Sequence, residues 1–185
     1  ANKELKVAIE DTMKTHMAQE LRAQSEELMN NVSNYVLRYC GAHEFHWYFK
    51  GWEDLKKIAC DRGYKHTDSP FLYVCGYNVC LRIQLIEKEG LTVLRLLMCI
   101  HPGVNDSKLE WHFSMSYTLG VIHPKDKAKR KILKVDVSEH SNRIYMPRQG
   151  GNVGFGPFML KTANKLERKG FVNDDSLHVF LQVEP

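Results

Sequence analysis

The chain has 185 residues, 43% of them apolar and 26% charged, with a net charge of +4, which suits one core-bearing domain with an appendage. Lysines and arginines interleave with acids, so composition makes no case for nucleic acid, and no stretch approaches the roughly 20 apolar residues that cross a bilayer. Five cysteines, an odd number without dense spacing, argue against a disulfide scaffold and for a reducing, cytoplasmic setting.

Residues 1–39 contain neither Gly nor Pro and are rich in Ala, Glu, Lys, Leu, Met and Gln, all good helix formers. Lys and Glu appear at once, so the segment does not read as a secretion signal. Apolar side chains recur at Ile9, Met13, Met17, Leu21, Leu28, Val32, Tyr35 and Tyr39, with Gln24 between Leu21 and Leu28. The spacing predicts one helix of about 50 Å at about 1.5 Å of rise per residue. Its stripe is too narrow for burial on all sides, and self-association as a coiled coil is its natural use. Steps of four dominate the first part, as in a stutter or an 11-residue repeat, while Leu28 to Tyr39 fits heptads better. A frayed solvent helix over residues 1–20 is the other reading. The stripe alone allows a dimer, trimer or tetramer, and Gly41 supplies the helix stop.

From residue 45 the pattern changes to short β-branched or aromatic runs: His46–Phe49, Phe71–Val74, Val79–Ile86, Leu91–Ile100, Trp111–Phe113, Tyr117–Ile122 and Leu177–Val183. Turn residues separate them, and Glu87-Lys88-Glu89-Gly90 reads as a hairpin loop. Short helical turns are expected over Trp52–Cys60 and Leu160–Arg168. The basic cluster Lys125, Lys127, Lys129, Arg130 and Lys131 reads as a solvated loop after His123-Pro124, with no aromatic stacking partner in the run. The whole predicts an antiparallel β-sandwich, with a helical segment over 1–40 and the sandwich over 41–185.

Sites for chemistry are sparse. No P-loop or dinucleotide fingerprint occurs. Cys40, His43 and His46 are spaced like a compressed metal site, but the fourth ligand is missing, so no metal or other cofactor is expected. Cys75 and Cys80 read as buried, inert thiols. Asp174-Asp175 reads as turn acids that accept backbone hydrogen bonds. The triplets Asn31-Val32-Ser33 and Asn105-Asp106-Ser107 fit the glycosylation pattern only by chance if the chain is not secreted. An enzyme is not expected from these residues.

Five short motifs occur in order: Asp68-Ser69-Pro70-Phe71, Tyr77-Asn78-Val79-Cys80-Leu81-Arg82-Ile83, Trp111-His112-Phe113, Gly154-Phe155-Gly156-Pro157-Phe158, and the stretch from Gly170 to Leu177 that contains Asp174-Asp175. Together they resemble the C-terminal domain of the TRAF (tumour necrosis factor receptor-associated factor) family, also called the MATH fold, over about residues 45–185. The resemblance implies an eight-stranded antiparallel sandwich on a coiled-coil stalk, assembled as a trimer. It also implies an intracellular signalling adaptor whose sandwich holds short linear motifs from receptor tails or adaptor proteins along one edge. The alternative within the same fold is a substrate-recognition module of a ubiquitin-ligase assembly. The long N-terminal helix favours the adaptor. Ligase activity of the RING type would belong to sequence outside these residues.

Residue by residue, the resemblance assigns Arg82, in Cys80-Leu81-Arg82, to peptide contact. Phe155 corresponds to the groove aromatic of one branch of the family, and Pro157 stands where that branch usually has Tyr. Ser141, Asn142 and Arg143 fall where the other branch has three serines, so only one serine is retained. Gln84 replaces that branch's groove tyrosine, and Lys88 lies near its acidic hairpin position. Leu97 and Leu119 match apolar groove positions that wall a pocket for a motif proline. Strand alternation independently turns Arg82 and Gln84 away from Leu81, Ile83 and Leu85, onto a solvated face. A guanidinium there, beside an aromatic ring, would receive an acidic or aromatic side chain.

Overall fold

The computed structural model describes residues 2–39, 43–137, 145–147, 152–153 and 161–184. Helix α1 runs from Asn2 to Tyr39 without interruption, as the absence of Gly and Pro dictates. Every described side chain from Lys6 onward is exposed, Met13, Met17, Leu21, Leu28, Val32 and Tyr35 among them. Tyr39 is helical; its side chain lies outside the described residues. No described helix is long and apolar enough to cross a membrane.

The rest is built from β1 (Glu44–Lys50), α2 (Trp52–Arg62), β2 (Tyr64–Asp68), β3 (Leu72–Val74), β4 (Tyr77–Lys88), β5 (Leu91–His101), β6 (Ser116–His123), β7 (Asp126–Val135), β8 (Asn152–Val153), β9 (Lys161–Thr162), α3 (Ala163–Arg168), β10 (Val172–Asn173) and β11 (Ser176–Glu184). All pairings are antiparallel. One sheet has the order β1-β11-β6-β7, with β10 beside β11. The other has the order β2-β4-β5-β8, with β3 beside β4 and β9 beside β5. Four of these segments (β3, β8, β9 and β10) have only two or three residues, so the described residues show more and shorter strands than the eight expected.

Alternation fixes the core. Val79, Leu81, Ile83 and Leu85 of β4 point inward with Leu94, Leu96, Met98 and Ile100 of β5. They meet Tyr117, Leu119 and Val121 of β6 and Leu177, Val179, Leu181 and Val183 of β11. Each such side chain contributes about 1.5–3 kcal/mol on leaving water. The expected hairpin between β4 and β5 is present, with Glu89 at φ 52° and Gly90 at φ 77°, the double left-handed geometry of a tight primed turn.

Asp174 and Asp175 also adopt positive φ, at 50° and 58°. From there Asp175 caps α2: the Glu53 amide donates to Asp175 Oδ1 at 2.8 Å, and the amides of Gly51 and Trp52 donate to its carbonyl. The acidic pair is structural, as its sequence suggests. Trp52 is fully buried, and its indole N–H donates to Glu167 Oε1 at 2.8 Å, which also takes Lys56 Nζ at 2.7 Å. Glu167 thus ties α2 to α3.

On the outer face of the first sheet, the Phe180 ring lies over Gly120. A Cβ on Gly120 would sit 2.6 Å from Phe180 Cε1 and 2.4 Å from the Lys131 carbonyl oxygen. The Arg130 guanidinium covers the ring from above, 5.1 Å from its centroid.

Two expectations need correction, and one strand had no expectation. Residues 126–131, expected as part of a loop, form the first half of β7, an outer strand of its sheet among the described residues. Ile132, Leu133 and Val135 continue the strand and anchor its register on β6, while lysines occupy its solvated margin. Tyr64–Asp68, with no apolar alternation, is held as β2 by the ladder to β4. Trp111–Phe113 is not a strand beyond an isolated bridge at Phe113. Its rings instead pack edge-on around Tyr77, with centroid distances of 5.1 Å for Trp111 and 4.9 Å for Phe113.

Candidate functional site

The face of β4 opposite the core carries Asn78, Cys80, Arg82, Gln84, Ile86 and Lys88. Arg82, Gln84 and Lys88 therefore share one side of one strand, over about 20 Å from first to last at about 3.3 Å per residue. Beside them in register stand Asp68 and His66 on β2, and Leu97 and Arg95 on β5. Alternation along Cys80–Leu85 dictates this display, so Arg82 and Gln84 point away from the core as the spacing predicts.

Arg82 is not the open cation that alternation suggests. Its Nε donates to Asp68 Oδ1 at 2.6 Å and its Nη2 to Asp68 Oδ2 at 2.7 Å, a two-point fork between directly paired residues. Nη1 forms no hydrogen bond among the described residues. Both side chains are partly shielded, at 20% and 34% exposure. The hydrogen bonds from Arg82 hold the Asp68 carboxyl below its ordinary value, against the upward push of burial, and Asp68 raises the guanidinium above its own.

Ser69 sets this geometry. Its amide donates to the Leu81 carbonyl at 2.8 Å, and its Oγ accepts the Leu81 amide at 2.9 Å and donates to the Pro70 carbonyl. A buried serine thus clamps the end of β2 to β4 and leaves Asp68 opposite Arg82, before Pro70 ends the ladder. The motif Asp68-Ser69-Pro70 carries this signal in the sequence, but the pairing of Asp68 with Arg82 depends on register and was missed.

Gln84 is half-buried, and its Oε1 is sealed from solvent with no hydrogen-bond partner among the described residues. Lys88 is exposed at the strand end. Leu97 lies directly across from Arg82 but is 2% exposed, packed with Cys80 and Cys99 in a small cluster of its own. It does not line an open groove. The Cys80 thiol contacts His101 Nε2 at 3.4 Å and is pushed up by its hydrogen bond to Cys99 and by burial, which makes it an inert thiol. Phe71 packs edge-on against His101, with ring centroids 4.8 Å apart.

Leu119 does not join this face. It is fully buried on the inner side of the other sheet, in the main core. Its flanking pattern Tyr117-x-Leu119-x-Val121 is inward alternation, and burial between the sheets leaves it no surface for a ligand. Ser141, Asn142, Arg143, Phe155 and Pro157 lie outside the described residues.

Among the described residues no group of three His, Cys, Asp or Glu is placed to hold a metal ion. His43 contacts Cys75 Sγ at 3.5 Å, whereas His46 contacts His178 at 3.0 Å, so the two histidines face different partners.

The sequence matches the family model described as TRAF/meprin, MATH domain over residues 65–180. Among solved structures the chain is similar to TRAF5 of Notothenia coriiceps, at 22% identity and a TM-score of 0.62. That likeness covers 99% of this chain and 93% of the other, so it includes α1, and at this identity it speaks for the fold. No curated protein matches. The family match reaches from β2 into β11, through both sheets and over more than half of the 185 residues, and on that ground the chain belongs to the TRAF/meprin MATH-domain family.

Proposed function

We propose that this chain is an oligomeric cytoplasmic signalling adaptor whose sandwich binds short linear peptide segments of receptor tails or adaptor proteins. The observation that carries the reading is the outer face of β4. There a guanidinium fixed by Asp68 has Nη1 without a hydrogen bond among the described residues, and two residues further along Gln84 holds a buried acceptor with no partner among them. An unpaired buried amide oxygen costs about 1–3 kcal/mol, and a peptide N–H that displaced the groups covering it would remove that cost. An acidic side chain of the same peptide would take the remaining guanidinium donors. The family match supports a protein-interaction module. The chain acts by binding, with no catalytic step of its own.

Oligomerisation belongs to the same proposal. The stripe Met13, Met17, Leu21, Leu28 and Val32 is exposed along α1, and three copies wound along it would present three faces together. A single extended peptide binds weakly because docking orders it. Joining three sites raises avidity by about 10²–10⁴ where the spacing fits.

A peptide-array screen tests the face. Arg82→Ala is expected to lose most of the bound sequences, and an unchanged profile would place the groove elsewhere. A trivalent peptide, titrated against the full chain and against a chain lacking residues 1–39, tests the stalk. Equal affinity for the two refutes the avidity reading.

A further inference from the structure

Lysines far apart in sequence converge beside α3. One hollow of about 370 Å³ is lined by Lys88, Leu91, Val93, Lys161, Thr162 and Lys165, with Glu89 the one acid among its described lining residues. A second, of about 340 Å³, is lined by Lys129, Arg130, Lys131, Lys169 and Phe171, with no acid among its described lining residues. Lys165 and Lys169 stand four residues apart at the C-terminal end of α3 and its cap, so the helix end bridges the two hollows. The ammonium of Lys169 is held below its ordinary value, first by repulsion from Lys131 on the opposite sheet, with Lys165, Lys161 and Arg168 adding to it. None of these lysines has an ion-pair partner among the described residues. The nearest acid on the helix, Glu167, is engaged by Lys56 and Trp52.

We propose that Lys88, Lys161, Lys165, Lys169, Lys131 and Lys129 form a docking surface for an acidic polypeptide segment, one that alternates carboxylates with apolar side chains. Charge complementarity sets the sign of the partner. The hollows set its class. Leu91 is 51% exposed at the edge of the first, which gives an apolar side chain a seat between cations. A nucleic-acid strand needs aromatic platforms, and Phe171, the ring at the second hollow, is 3% exposed. Val93 and Phe171 are recessed, at 8% and 3% exposure, so Leu91 is the one described apolar side chain of the two hollows that protrudes, too little to insert into a lipid surface. The surface does not depend on Arg82. An occupant that also crosses the β4 face would share Lys88 with it.

The probe is a fluorescent peptide of Glu-Glu-Leu repeats, about twelve residues and about 40 Å when extended, titrated against the full chain by anisotropy. Lys165→Glu/Lys169→Glu and, separately, Lys131→Glu/Lys161→Glu are each expected to weaken binding about tenfold or more. Raising salt from about 50 to 300 mM should weaken it in the parent, and Lys108→Glu, at an exposed lysine that lines neither hollow, should leave it within about twofold of the parent. If a charge-reversed pair fails to fold, the same lysines changed to Gln decide the point. Parent-like affinity in both pairs overturns the proposal. So does tighter binding to a single-stranded oligonucleotide of the same length, or to vesicles rich in phosphatidylserine, than to the acidic peptide.

Discussion

The Asp68–Arg82 fork is built from adjacent strands and held by Ser69, and its chief product is orientation rather than stability. Both side chains are partly solvated, so the pair contributes about 1 kcal/mol or less. Its pH signature is nevertheless distinct. The folded-state carboxyl of Asp68 titrates below its unfolded value of about 3.9, so its contribution is present above that pH and is lost as pH falls through the folded value. Asp68→Asn is expected to flatten the acid limb of a thermal-midpoint profile below about pH 4, and to weaken peptide binding by freeing the guanidinium from its fixed angle. An acid limb identical to the parent's would remove Asp68 from that role. Gly120 gives a sharper stability prediction. Since a Cβ there meets both the Phe180 ring and the Lys131 carbonyl, Gly120→Ala should destabilise by about 1–3 kcal/mol, read as a lower denaturant midpoint at unchanged slope. At this scale the sequence told half the story. Alternation alone exposed Arg82 and Gln84, but the acid that fixes Arg82 sits fourteen residues earlier and is visible only once register is known. Leu119 was assigned to the groove by likeness to a family pattern, while its own alternation already pointed inward.

The elements divide by how much of their signal is local. Helix α1, the β4–β5 hairpin and β11 were legible because each has a strong composition or a full apolar face. The basic strand β7 was not. Its first half shows no buried residue, and a strand whose outer rows are solvated has no period to read; pairing with β6 alone makes it a strand. Its lysines also suit its place at the sheet margin, since charge there discourages edge-to-edge association. Replacing Lys127 and Lys129 with Val should leave the monomer fold intact but promote self-association in light scattering, and a variant as soluble as the parent would deny the guarding role. For α1, Leu21→Asp/Leu28→Asp should convert the assembled species to monomer in sedimentation equilibrium. A parent that is itself monomeric at tens of micromolar would sink the stalk reading.

At the scale of the whole molecule, the described core lies entirely outside α1. The sandwich closes its own core from Phe49 to Val183, and α1 adds no described buried side chain to it. A chain beginning at residue 40 should therefore keep the parent's cooperative unfolding and thermal midpoint within about 2 °C, the shift that a few tenths of a kcal/mol produces in a domain of this size. A large loss would mean that the helix buttresses the sheets. The fold class and family were readable from short motifs strung along the chain. The convergence of lysines at α3 was not, because it joins two sheets and a helix end whose sequence separations exceed any local pattern.

Because α1 contributes no described side chain to the core, a cut within the helix leaves that described core whole. A protease that clips α1 would release an intact recognition head stripped of its copy number. On the adaptor reading, that fragment still occupies its targets yet gathers nothing, so one cut changes the molecule from a clustering agent into a competitor of its own uncut form.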